Sequence, residues 1–141
     1  MTHADELRTW AKGSYTDEAA TELLIRGFRG RFAATGNPWV GNDDFSGTPW
    51  IDFSSIPEHA GGVSGREWRF LMFTASLAGN VPVTLGDVVP GVDRDTVQLM
   101  LAAVSHAAGS HEHSGMNQHE DGTTSFTRLS SLYPWPETPR Q

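Results

Sequence analysis

Apolar positions at helical spacing divide the chain into helical stretches separated by two long polar or irregular ones. Residues 2–12 carry Leu7, Trp10 and Ala11 as a short apolar stripe. Thr2 and Asp5 stand at the two ends of a capping box, and Gly13 is the stop. Thr16 then precedes the acidic turn Asp17-Glu18. Ala20, Leu24, Phe28 and Phe32, with Ile25 alongside, predict a helix reaching about Ala34, where Gly36-Asn37-Pro38 ends it. Glu18, Glu22, Arg26 and Arg29 lie on its polar side.

Ser64 and Glu67 form a second capping box, opening a helix over 65–78. Trp68, Phe70, Leu71, Met72, Phe73, Ala75 and Leu77 surround nearly its whole circumference, and a helix that is apolar all round belongs at the centre of a fold. Leu85 to Val89 reads as one helical turn. Asp93 caps a helix from Arg94 to Ala108, with Val97, Met100, Leu101, Val104 and Ala108 as its apolar face and Gly109 as its stop. Phe126, Leu129, Leu132 and Tyr133 predict a last short helix.

Between the helices, residues 36–63 are rich in turn chemistry, such as Gly41-Asn42-Asp43-Asp44 and Ser46-Gly47-Thr48-Pro49. Trp39, Val40, Phe45, Trp50, Ile51, Phe53 and Ile56 are embedded there, so the segment is expected to pack down. The expected fold is mainly α: a compact bundle of about four to five helices around the buried helix 65–78, with the apolar irregular loop 36–63 packed on it. Residues 1–141 are read as a single domain, with a mobile His-rich loop over 110–124 and an extended tail over 134–141.

Composition narrows the function classes. The formal net charge is -7, and an acidic surface repels phosphate backbones and anionic lipid, so neither direct nucleic-acid binding nor membrane association is expected. The chain has no cysteine, which excludes disulfides, thiolate nucleophiles and cysteine-held metals. The start, Met1-Thr2-His3-Ala4-Asp5-Glu6, lacks the basic-then-apolar order of a secretion signal, so cytoplasmic residence is the expectation. No Gly-x-Ser-x-Gly elbow, phosphate-binding Gly loop or dinucleotide fingerprint occurs.

Two groups of residues carry candidate chemistry. His106, His111, His113 and His119, interspersed with Glu112, Glu120 and Asp121, are donor types suited to zinc, nickel or copper. Their spacing matches no zinc motif, and a histidine ending a helix, followed by a polar loop, is the simpler explanation of them. The second group is Arg31, Trp39, Trp50 and Trp135. Arg31 projects near the edge of an apolar stripe, where it can pair with Asp43, Asp44 or a partner protein. The three tryptophans sit among Gly and Pro, as contact residues or as plugs of the core.

The run Gly61–Ser114, with Ser76-Leu77-Ala78-Gly79, Leu85-Gly86-Asp87, Gly91-Val92-Asp93 and His106-Ala107-Ala108-Gly109-Ser110-His111-Glu112-His113-Ser114, resembles small uncharacterised proteins of actinobacteria and their phages. The resemblance brings no activity and no assigned residues. It implies a mobile-element origin, where short proteins act by binding a component of host or phage. The expected function is therefore a non-enzymatic protein-interaction module (a regulator, inhibitor or assembly component) whose partner is another protein or a second copy of the chain. The alternative is a metal-binding protein or metal-assisted hydrolase using His106–His119. No organic cofactor is implied; a divalent metal such as zinc belongs to the alternative.

Overall fold

The computed structural model describes residues 1–137. Its secondary structure is mainly α, with two small antiparallel sheets. Helix α1, His3–Ala11, starts at the Thr2–Asp5 capping box and buries Leu7 and Ala11. Helix α2, Tyr15–Arg26, starts two residues earlier than its acidic residues suggest. Its cap is Ser14, whose hydroxyl accepts from the Asp17 N–H, so Thr16 lies inside the helix. Ala19, Ala20, Thr21, Leu23 and Leu24 are its buried side.

The helix predicted to run to Ala34 stops at Arg26. A 3-10 segment, Gly27–Ala33, follows, with Phe28, Arg29 and Gly30 in left-handed conformations at φ 49°, 58° and 75°. Gly27 lets the Phe70 ring close on the backbone at the break: a Cβ there would stand 2.5 Å from Cζ of Phe70. A left-handed non-glycine residue costs roughly 1–2 kcal/mol. Edge-to-face packing of Phe28 on Phe70 and Phe32, at 5.1 and 5.7 Å between centroids, offsets part of that cost.

The segment 36–63 is more regular than expected. Strands β1, Val40–Asn42, and β2, Pro49–Ile51, pair antiparallel with Gly41 opposite Trp50. A 3-10 turn, Phe53–Ser55, leads into helix α3, Ile56–His59. Trp39, Ile51, Phe53 and Ile56 join the core, whereas Phe45 is fully exposed. Helix α4, Gly65–Gly79, begins at the Ser64–Glu67 capping box and buries Glu67 and Phe70 through Ala75. Left-handed Asn80 ends it. Helix α5 is the single turn Leu85–Val88.

Helix α6, Arg94–Ala107, is capped by Asp93, which accepts from the Thr96 N–H at 2.7 Å. It packs against α2, but not with the whole face that the apolar spacing predicts. Thr96, Leu99, Met100, Ala102, Ala103 and Ser105 are buried, while Leu101, Val104 and Ala108 are exposed. The helix has two apolar sides, and the one richer in small residues fits against α2.

The last predicted helix is absent. Strand β3, Ser114–Gln118, pairs with β4, Thr124–Arg128, in an antiparallel hairpin with Met116 opposite Phe126. Residues 110–124 thus hold a 3-10 turn, Ser110–Glu112, and a strand, rather than one loop. Thr-Ser-Phe-Thr is strand chemistry, and Asp121-Gly122, with Gly122 at φ 85°, lies in the connecting turn. Of the tail expected over 134–141, Pro134–Glu137 has no regular structure, and residues 138–141 lie outside the described residues.

Candidate metal centre

Three elements converge beside the N-terminus of α2. Glu18 lies in its first turn and His106 in the last turn of α6, positions where the helix dipoles favour an acid and a histidine respectively. The two side chains meet at 2.7 Å, His106 Nε2 to Glu18 Oε1. The other Glu18 oxygen accepts from the Gly13 N–H at 2.8 Å. Burial raises the Glu18 pKa, but the Gly13 amide and the His106 contact outweigh it, leaving the carboxyl below its ordinary value. The carboxylate is the form present at neutral pH, and the His106 nitrogen donates.

His111 completes the group. Gly109, left-handed at φ 75°, ends α6 and turns the chain back, so that His111 in the following 3-10 turn stacks on His106. The two rings are 4.1 Å apart and within 14° of parallel. Tyr15 packs edge-on against both, at 6.1 Å from His106 and 5.0 Å from His111. One donor atom each from Glu18, His106 and His111 lie within 4.8 Å of one another. His111 Nδ1 is shielded from solvent and has no hydrogen-bond partner among the described residues.

The chain end walls the group on another side. Trp135 is tilted against His106 at 6.3 Å, and the Arg26 guanidinium lies 5.4 Å from its ring centroid while donating to the Pro136 carbonyl at 2.7 Å. Ser105, Ser110 and Ser131 link their hydroxyls, and Ser105 also accepts from the Tyr133 N–H at 2.9 Å, tying the segment after β4 to α6.

The four sequence-selected histidines therefore separate into two pairs. His106 and His111 come together; His113 and His119 belong to the hairpin. His119 contacts the Ser125 hydroxyl at 2.7 Å and His113 is exposed. Glu112, between His111 and His113, pairs with Arg128. Sequence reasoning missed Glu18, which lies 88 positions from His106. No local spacing announces a ligand at that separation, and its place in an acidic first turn already has a helix-dipole reason.

Arg31 pairs with Glu67 at 2.7 Å, not with Asp43 or Asp44, because the left-handed turn at 28–30 aims it at the start of α4. Trp39 is buried and its indole N–H donates to the Phe32 carbonyl at 2.8 Å. Trp50 is partly exposed over the β1–β2 hairpin, and Trp135 packs on its own chain.

Among protein-family models, curated proteins and solved structures, none matches this chain. No helix among the described residues is long and apolar enough to cross a membrane.

Proposed function

We propose that the chain is a non-enzymatic protein-interaction module that associates with a second copy of itself through the outer face of α6. The observation that carries this reading is the exposure of an apolar stripe. Val97, Leu101, Val104 and Ala108 follow one another at spacings of four, three and four, the spacing of a coiled-coil seam. Leu101 is 49% and Val104 52% exposed. Val104 also lines an open groove with Phe73, Ser76, Leu77, Val83 and Leu85, and Leu85 is 63% exposed.

A solvated helix face ordinarily carries charges. From Thr96 through Ala108 there is no Asp, Glu, Lys or Arg. Two copies of an acidic protein repel each other, but a seam without charged side chains is where they approach at least cost. A two-fold axis lays such a stripe on its own equivalent. We also take α4 as the helix that organises the bundle, since it buries Phe70 through Ala75 while its Phe73, Ser76 and Leu77 line this groove.

Sedimentation velocity across a concentration series tests the reading. A reversible dimer that Leu101→Asp and Val104→Asp convert to a folded monomer is the expected result. A monomer at every concentration overturns self-association, and a dimer unaffected by both substitutions overturns the assignment to α6.

A further inference from the structure

We propose that Glu18, His106 and His111 form a binding site for a transition-metal dication, with zinc as the best-fitting ion. The donor set is one carboxylate oxygen and two imidazole nitrogens. That mixture suits zinc, nickel or copper rather than calcium or magnesium, which take oxygen ligands. Three protein ligands leave a fourth tetrahedral position for water.

The spacing is close to what an ion needs. Donors bound at about 2.1 Å to a tetrahedral ion stand roughly 3.4 Å apart. Here the three lie within 4.8 Å, and the closest pair, His106 Nε2 and Glu18 Oε1, is at 2.7 Å. A modest opening of that hydrogen bond admits the ion. Glu18 is held for the purpose by its second oxygen, which the Gly13 N–H fixes independently of His106. An imidazole that gives one nitrogen to a metal keeps its proton on the other.

His111 supplies the independent observation. A shielded ring nitrogen without a partner is costly in a folded chain, and its natural complement is a donor or a cation. Metal-bound lone pairs lie in the ring planes, so a shared ion requires His106 and His111 to splay from their 14° stack. His106 is fixed on α6, whereas His111 sits on a three-residue turn after Gly109, so His111 is the ring that turns. Tyr15 and Trp135 flank the group.

The experiment is a titration of the chelator-treated full chain with Zn(II) and, for its visible spectrum, Co(II). One ion per chain is expected, with a Co(II) spectrum of low coordination number. His111→Ala should weaken binding by about tenfold or more, and the stabilisation that excess Zn(II) gives the parent should be lost in the variant, whatever the loss of the His106 and Tyr15 contacts does to its metal-free melting curve. His113→Ala combined with His119→Ala should bind as the parent does. Should a substitution unfold the chain, Co(II) paramagnetic shifts on the unaltered protein still decide: Tyr15 and Trp135 resonances move, those around His119 do not. No saturable binding at about 100 μM ion, or binding lost with His113 and His119 instead, overturns the site.

Discussion

Glu18 and His106 join the first turn of α2 to the last turn of α6 through a 2.7 Å contact, and the Gly13 N–H holds the carboxylate from its other side. The contact serves packing and chemistry together. It fixes the register of two helices that share a large part of the core, and it brings His106 to where the chain returns with His111.

That return depends on Gly109. Its φ of 75° favours glycine, and a Cβ there would stand 3.0 Å from Cε2 of Tyr15. Gly109→Ala should therefore cost roughly 1–2 kcal/mol from backbone strain alone. It should also displace His111 from the Tyr15 ring. Urea denaturation reads the first effect. Near-ultraviolet circular dichroism in the tyrosine region reads the second, and an unchanged spectrum would refute the coupling.

Glu67 sets an acid limb to stability. The Ser64 N–H is the main cause holding its carboxyl below the ordinary value of 4.5; burial opposes it, and the Ser64 hydroxyl, Arg31 and Arg66 add to the lowering. A carboxyl lowered on folding stabilises the native state above its unfolded pKa, and the contribution disappears as pH falls through the folded pKa. Stability should thus decline as pH falls below the ordinary carboxyl value of 4.5 and on through the lowered folded pKa. In Glu67→Gln part of that decline should vanish, the variant being less stable at neutral pH and closer to the parent in acid. A parallel pH profile for both proteins would count against the assignment.

Much of this architecture was legible in the chain. The capping boxes Thr2–Asp5 and Ser64–Glu67 and the Asp93 cap place the starts of α1, α4 and α6, because cap chemistry is local. What failed was non-local or two-sided. Phe28 and Phe32 keep helical spacing through a segment that leaves the helix, since the same aromatics find Phe70 from a left-handed turn. The apolar face that spacing picks out on α6 faces solvent in part, at Leu101, Val104 and Ala108; spacing alone does not choose between two apolar sides. The β3–β4 hairpin was hidden by Phe126, Leu129 and Leu132, whose spacing of three imitates a helix. Of the candidate metal group, His106 and His111 were visible by proximity, and Glu18 was not.

Trp135 docks on α6 and α2 rather than standing free, so its removal should be felt inside the chain. Trp135→Ala takes away the ring beside His106 and the aromatic face over which Arg26 lies. A loss of about 1–3 kcal/mol is expected for a partly buried aromatic of this size. Hydrogen exchange should accelerate around Ser131–Tyr133, whose contacts to Ser105 hold the same segment. No change in stability or exchange would show that the ring is not packed there in solution.

The β3–β4 hairpin makes the opposite case. Met116 and Phe126 face each other across the strands and both are largely exposed, so their mutual contact is the main side-chain gain on that face. A cross-strand pair of this kind contributes roughly 0.2–1 kcal/mol. Phe126→Thr keeps a strand-favouring residue and removes only the pair. Global stability should therefore fall by less than about 1 kcal/mol, while amide exchange within 114–128 rises, because a two-stranded ribbon is marginal without its side-chain contacts. The hairpin carries His113 and His119 but not Glu18, His106 or His111. Zn(II) affinity should accordingly be the same in Phe126→Thr as in the parent. If loosening the hairpin weakened metal binding, the ligands would have to include a hairpin histidine, and the division of the four histidines into two pairs would be wrong.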